Sequence, residues 1–272
     1  MSSADLSALV DVRCAKEGPV LTITLDRAAA RNAYSEAMIE GLCAALDAAD
    51  RDPEVRVVVL TGAGEAFSAG GDLKRMQGHE GMFAGDSAEL RRRYIDHIQR
   101  VPRRLALFDK PIVAAINGAA IGAGLDLACM CDVRIAARGA KMGSTFVKVG
   151  LVPGDGGAYL LARTIGFPRA LELMLTGRLV DTEEALRIGL VHQVVEAEAL
   201  GAAARAQAAA IAENPPVAVR LTKRAAYRSW ESSFEVALEL AATFQAVSQR
   251  TADHHEAVAA MLQRRPPVFR GE

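Results

Sequence analysis

The 272-residue sequence predicts an α/β fold, on three observations. Two short apolar runs, VRVVVL from Val55 to Leu60 and PIVAAI from Pro111 to Ile116, have the continuous hydrophobic character of buried parallel strands. Each run leads into a glycine-rich turn, Phe67-Ser-Ala-Gly-Gly-Asp72 and Asn117-Gly-Ala-Ala-Ile-Gly-Ala-Gly-Leu-Asp126. Strand-like and helix-like patterns also alternate along the chain, the mark of parallel βαβ units.

Taken in order, Val20 to Leu25 (VLTITL) reads as a strand. Ser35 is placed to cap a helix whose apolar face includes Met38, Leu42, Leu46 and Ala49. The Val55 strand and first glycine turn follow, and then Gln77 to Ser87 (QGHEGMFAGDS), which has three glycines and no periodicity and is expected to be a mobile loop near the site. The Pro111 strand and second turn lead to a helix from Gly124 through Met130 and a strand at Val133 to Ala136. From about Ala202 the character changes to alanine-rich helix (AAARAQAAAIAE), broken at Pro215-Pro216 and continuing through Arg265. The expected division is residues 1–201 as an α/β core and residues 202–272 as a helical appendage.

Composition narrows the function classes. With 51% hydrophobic and 24% charged residues the chain is of ordinary globular type, and a net charge of -1 gives no global attraction to nucleic acid or an anionic membrane. Short basic clusters at Arg91-Arg-Arg93, Arg103-Arg104 and Arg264-Arg265 read as solvated helix faces, one or two of which could meet the phosphates of a large anionic substrate. The N-terminus, MSSADLSALVD, carries acids and no long apolar block, so a cytoplasmic protein is expected, with no membrane span. Cys14, Cys43, Cys129 and Cys131 lack paired metal-site spacing and read as reduced thiols; the five histidines have no ligand spacing either, and no metal is expected.

The glycine turns carry the chemistry. Without a Cβ, a turn lets a ligand atom approach the main chain closely. One N–H from each turn could hold the negative charge that develops on a carbonyl oxygen, the physics of an oxyanion hole, which points to chemistry on an acyl group. A dinucleotide fingerprint is excluded because Gly122-Ala-Gly124 is followed by Leu-Asp-Leu127, without the third glycine, and no phosphate-loop lysine follows Gly62-Ala-Gly64. Taken singly, either turn could be only a tight strand-to-helix connection.

Five segments in order resemble the crotonase superfamily, the enoyl-CoA hydratase/isomerase family. They are LDRAAARNAYS at Leu25 to Ser35, with Asp26 and Ala28 departing from the family pattern, the two glycine turns, GLVPGDGGAYLLAR at Gly150 to Arg163, and LTGRLVDTEEALRIGLVHQVV at Leu175 to Val195. The ending TADHHEAVAAMLQRRPPVFRG is similar to the family's closing helix and tail. The resemblance implies a crotonase-like spiral of ββα units with a C-terminal helical trimerisation region, a homotrimer or homohexamer, and an acyl-CoA thioester substrate. Coenzyme A is then part of the substrate, and no separate cofactor is implied.

Position by position, the resemblance places the oxyanion donors at the backbone N–H groups of Gly71 and Ala123. It places the pantetheine and adenine path along Ala66, Phe67, Ala69 and Gly71 through Asp72, Leu73 and Lys74. Asp72 also reads as an anchor of the first turn, and Lys223 is a candidate for the CoA phosphates. Family hydratases hold a water between two glutamates; at the first of those positions this chain has Asp126 and at the second Phe146, and a phenyl ring cannot transfer a proton. A second carboxylate is available at Asp155, on the loop that supplies an aspartate in isomerase and dehalogenase relatives, although Asp155 is equally placed to cap the following helix. Acyl specificity is expected from the region Gln77 to Arg93, from Phe146, and from Tyr94 and Trp230.

Three functions follow from these residues. The first is an acyl-CoA isomerase or related proton-shuttling enzyme using Asp126 or Asp155. The second is an enoyl-CoA hydratase using Asp126 with another acid or a water chain. The third is a non-catalytic CoA-thioester binder, or an RNA binder; against RNA binding stand the near-zero charge and the low aromatic content of 5%.

Overall fold

The computed structural model describes residue 6 and residues 8–272. In chain order its elements begin with β1 (Val12–Glu17), β2 (Val20–Leu25), helix α1 (Glu36–Arg51), β3 (Val57–Gly62), β4 (Ala66–Ser68), α2 (Leu73–Gln77), α3 (Ser87–Arg93) and α4 (Arg100–Ala106). Next come β5 (Ile112–Ile116), β6 (Ala119–Ile121), α5 (Ala123–Cys129), β7 (Val133–Ala137), β8 (Met142–Gly143), α6 (Gly157–Ile165), α7 (Phe167–Thr176), α8 (Thr182–Arg187) and β9 (Gln193–Val195). Four helices close the chain: α9 (Leu200–Ala212), α10 (Pro216–Trp230), α11 (Phe234–Ser248) and α12 (Ala252–Gln263).

The strands form two sheets. The larger has the order β1-β2-β3-β5-β7-β9, parallel except for the β1–β2 hairpin, and the smaller is the parallel set β4-β6-β8. Each of β3, β5 and β7 contributes to the large sheet and is followed within a few residues by β4, β6 or β8 in the small one. A helix follows that second strand, so the repeating unit is ββα rather than the βαβ expected from alternation. The second strands are only two or three residues long, too short to produce a periodic signal.

Both faces of the large sheet are covered, which explains the uninterrupted apolar runs. Val57, Val59, Val113, Ala115 and Ile135 point to one face, where Leu200, Ala204, Ala208 and Ala212 of α9 pack. Val58, Leu60, Ile112, Ala114, Ile116 and Ala136 point to the other, into a core shared with α1 and the small sheet. Small alanine side chains let α9 lie close on the strands, and that helix crosses the expected 201/202 boundary. Ser35 caps α1 as predicted, its Oγ accepting from the Met38 N–H at 3.0 Å, and Met38, Leu42, Leu46 and Ala49 are all buried. Helices α10 and α11 contain no buried residue.

The segment from Gln77 to Ser87 is not the free loop expected from its glycines. It holds a 3-10 turn, Gly81–Phe83, with Met82 and Phe83 buried in the core. Glu36 at the start of α1 pins it, accepting from the Met82 N–H at 2.7 Å and pairing with Arg75. Among the described residues, no helix is long and apolar enough to cross a membrane.

Candidate active site

The site is assembled at the carboxyl ends of β4 and β6. These strands pair in parallel, Ala66 opposite Ala119 and Ser68 opposite Ala120, so the two glycine turns leave the small sheet side by side. Gly70 (φ +79°) carries the first turn against the second: a Cβ there would stand 2.5 Å from the Ile121 carbonyl oxygen and 2.9 Å from the Ala123 nitrogen. Only glycine satisfies both the left-handed φ and this approach. Gly122, also left-handed at φ +55°, turns the chain into α5, whose first residue is Ala123. Neither the Gly71 N–H nor the Ala123 N–H is engaged by a backbone or side-chain acceptor among the described residues.

The segment Arg31 to Ser35 braces the first turn. Arg31 and Asn32 both adopt left-handed conformations, at φ +51° and +54°. Around them the Ala69 N–H donates to the Arg31 carbonyl at 2.9 Å, the Ser68 hydroxyl to the Asn32 carbonyl at 2.8 Å, and the Tyr34 N–H to the Gly70 carbonyl at 2.7 Å. The Asn32 side chain, fully buried, accepts from the Arg27 N–H and donates to the Ala63 and Ala66 carbonyls. Asp72 ends the turn, accepting from the Arg75 N–H at 3.3 Å to cap α2 and from Arg27 Nη1 at 2.9 Å. That agrees with its reading as an anchor.

Asp126 projects from α5, and Asp155 lies on the loop before α6; their side chains meet in the interior, 0% and 2% exposed. Burial first, and then the neighbouring carboxylate, push Asp126 well above the ordinary carboxylate range. Burial also raises Asp155, while its hydrogen bond to Asp126 works in the opposite direction. When both are ionised, neither has a donor, and none of the four oxygens has a hydrogen-bond partner among the described residues. One shared proton converts this repulsion into an acid–carboxylate hydrogen bond between the two.

Asp155 is therefore not the cap of α6, one of the two roles its position allowed. The residue at the cap is Gly156, in a left-handed conformation, and no side chain caps the helix. This geometry turns the Asp155 carboxyl inward toward Asp126 instead of back over the helix end.

The remaining predicted residues fall in several settings. Phe67 and Ala66 are in β4 with side chains buried in the core, so they present only backbone to a ligand. Ala69 lies in the first turn, while Leu73 and Lys74 open α2 on an exposed face. Phe146 begins a 3-10 turn, and its ring lies against Gly122, 3.7 Å from where a Cβ would be. It thus lies beside the second glycine turn, with a face that can only pack. Lys223 does not offer a free ammonium for phosphate: it pairs with Asp132 at 2.8 Å and donates to the Lys110 carbonyl at 2.9 Å, with its side chain 12% exposed. Trp230 ends α10 at the surface.

A cleft of about 570 Å³ opens beside the loop that leads to Asp155, lined by Arg91, Tyr94, Ile95, Leu151, Val152 and Gly154 among others. Tyr94 packs its ring on Gly154, where a Cβ would approach it to 2.7 Å, and burial and the charge of Asp155 raise its phenol. Tyr34 is the site residue that sequence reading did not single out. It is 2% exposed and its hydroxyl has no partner among the described residues. Its one sequence signal is the place directly after Asn32-Ala33, in a segment whose polar residues fold around the first turn.

A sequence model of the family described as enoyl-CoA hydratase/isomerase matches residues 15–272. The chain is 37% identical over 254 residues to a short-chain-enoyl-CoA hydratase of Clostridium acetobutylicum, covering 92% of this chain and 94% of that one. It is 36% identical over 256 residues to a 1,2-epoxyphenylacetyl-CoA isomerase of Escherichia coli, covering 94% and 97%. The crystal structure of an enoyl-CoA hydratase from Bacillus anthracis superposes with a TM-score of 0.91 at 34% identity, over 97% of this chain and 100% of that chain.

Proposed function

Because this chain belongs to the enoyl-CoA hydratase/isomerase family, we propose that it is an acyl-CoA enzyme of the isomerase type, shuttling a proton between carbons of an enolate-like intermediate. The observation that carries this reading is the buried Asp126–Asp155 pair. Its carboxyls are close enough to share a proton directly, whereas hydration requires an acid pair to hold a water between them, and Phe146 supplies no carboxylate for that purpose.

The thioester carbonyl oxygen of the substrate takes its place between the Gly71 and Ala123 N–H groups, both free of other acceptors among the described residues. These donors stabilise the charge that arrives when the α-carbon loses a proton, each by about 3 to 4 kcal/mol in the transition state. The Asp155 carboxylate accepts the α-proton and the protonated Asp126 delivers its own to the γ-carbon, so the pair begins and ends with one proton. The double bond moves from the 3 to the 2 position, and no electron leaves the substrate. The CoA portion runs past Ala69, Gly71, Asp72, Leu73 and Lys74, and no cofactor beyond the thioester itself is called for.

A second reading, enoyl-CoA hydratase, is favoured by one observation: Asp126 does have a carboxyl partner, in Asp155, even though the family position is Phe146. Incubation of 3-enoyl-CoA esters in deuterated water separates the possibilities. The isomerase reading expects deuterium in the recovered ester and conversion to the 2-enoyl ester, with crotonyl-CoA hydrated poorly. Robust hydration of crotonyl-CoA would establish the second reading, and binding without exchange at any chain length would leave a non-catalytic thioester binder. The exposed apolar residues Phe234, Val236 and Leu238 of α11 and Met261 and Leu262 of α12 support assembly through the C-terminal helices as a homotrimer or homohexamer, measurable by sedimentation.

A further inference from the structure

The cleft beside the loop that leads to Asp155 combines apolar walls with unneutralised positive charge. One wall is a single stripe of the helical stretch that runs from α3 through a π turn at Tyr94–Ile98 into α4. Arg91, Tyr94, Ile95, Gln99 and Arg103 recur along it every three or four residues and all line the cleft. Leu151 and Val152 line it from the loop, and Val152 is 75% exposed, an apolar side chain left in the open. No acidic residue lines the cleft, against two arginines.

Arg103 is fixed but not neutralised. Its Nη1 donates to the Ile95 carbonyl and its Nη2 to Gln99 Oε1, each at 3.1 Å, and Gln99 Nε2 donates in turn to the Gly154 carbonyl at 2.9 Å. Both acceptors on Arg103 are neutral, and neither Arg103 nor Arg91 pairs with a carboxylate among the described residues. The next arginine, Arg104, by contrast pairs with both Asp47 and Asp50. These bonds hold the Arg103 guanidinium one side-chain amide away from Gly154, the residue before Asp155. Gly154 is in turn three residues from Gly157, on which the Asp126 carboxyl rests. Three residues span at most about 11 Å, so the cleft and the acid pair are neighbours on one loop.

We propose that the acyl group of the substrate ends in a carboxylate and that this cleft receives it. The carbon chain lies against Tyr94, Ile95, Leu151 and Val152, and the distal carboxylate meets the Arg103 guanidinium. The Nε–H and one hydrogen on each Nη stay free for it. A guanidinium already oriented by neutral acceptors loses little freedom on binding, and its fork matches a carboxylate. Arg91 adds positive potential to the same cleft. The proposal rests on the acyl-CoA reading of the site and deepens it, from thioesters in general to those of dicarboxylic acids.

Calorimetric binding of saturated esters tests it without turnover. Adipyl-CoA is compared with hexanoyl-CoA, and suberyl-CoA with octanoyl-CoA; within each pair only the terminal group differs. The wild-type protein is expected to bind the carboxylate-ended ester about 10-fold more tightly at one length or both, the scale of a hydrogen bond to a charged group. That preference should shrink at high salt. Arg103→Met should bring the ratio close to one, and Arg103→Glu should reverse it. Equal or weaker binding of the carboxylate-ended esters at both lengths would overturn the proposal. So would a loss in Arg103→Met that is the same for both members of a pair, the sign of a contact to the CoA phosphates. If no ester binds, the acyl-CoA reading falls and the proposal with it; if the esters bind but no isomerase turnover is found, the cleft assignment is still decided by these ratios.

Discussion

The Asp126 carboxyl lies directly on the Cα of Gly157, so that a Cβ at position 157 would occupy the same space as the carboxyl group itself. Gly157 opens α6, two residues after Asp155, and its bare face makes the room in which the two acids meet.

Gly157→Ala is therefore expected to expel Asp126 from its place beside Asp155. Overpacking at such a site costs about 1 to 3 kcal/mol of stability, read by thermal unfolding. Catalysis should suffer more, with α-proton exchange reduced by about 100-fold or more because proton transfer depends on placement within a fraction of an ångström.

The buried pair also makes a signed prediction about stability. Asp126 is raised above its unfolded value, so between those two values the folded state binds more protons than the unfolded state. Stability then falls as pH rises through that window and is lowest above it. Asp126→Asn removes the ionisable group, and its amide can donate to Asp155. The variant should lose exchange activity, retain ester binding, and be more stable than wild type at pH 7 by about 1 kcal/mol, with a flatter dependence of Tm on pH. Calorimetry across pH 5 to about 8 checks this; a less stable variant would contradict the pair's assigned ionisation.

On the proposed reading, Phe146 sets the balance between hydration and proton shuttling. Replacing it by glutamate puts a carboxyl beside Gly122, at the position where family hydratases are similar in carrying one. Phe146→Glu is expected to raise crotonyl-CoA hydration by about 10-fold or more, within the range of a single general acid or base. An unchanged rate would mean that this face does not reach the double bond.

Asn32 braces the first glycine turn from behind. Asn32→Ala would leave the Ala63 and Ala66 carbonyls and the Arg27 N–H without their buried partner. A loss of about 3 kcal/mol is expected from orphaned groups of this kind, measured by denaturant unfolding, together with weaker binding of acyl-CoA esters.

The sequence by itself determined the longer strands and the capped helix α1, because these depend on local chemistry. The apolar strands at Val57 and Ile112 and the Ser35 cap are each set by neighbours a few residues away. Ordered motifs along the chain were enough to indicate the family. The partnership between Asp126 and Asp155 was open in the sequence, since Asp155 suited a helix cap equally well, and only the tertiary structure joined the two. It did so through the left-handed Gly156 and the bare Gly157, which turn one carboxyl inward and make room for the other. The same holds for Tyr34, an ordinary core tyrosine by pattern, and for Lys223, an available cation by position that is spent on Asp132. Burial and pairing between residues distant in sequence leave no periodic trace, yet they decide which polar groups are free to do chemistry.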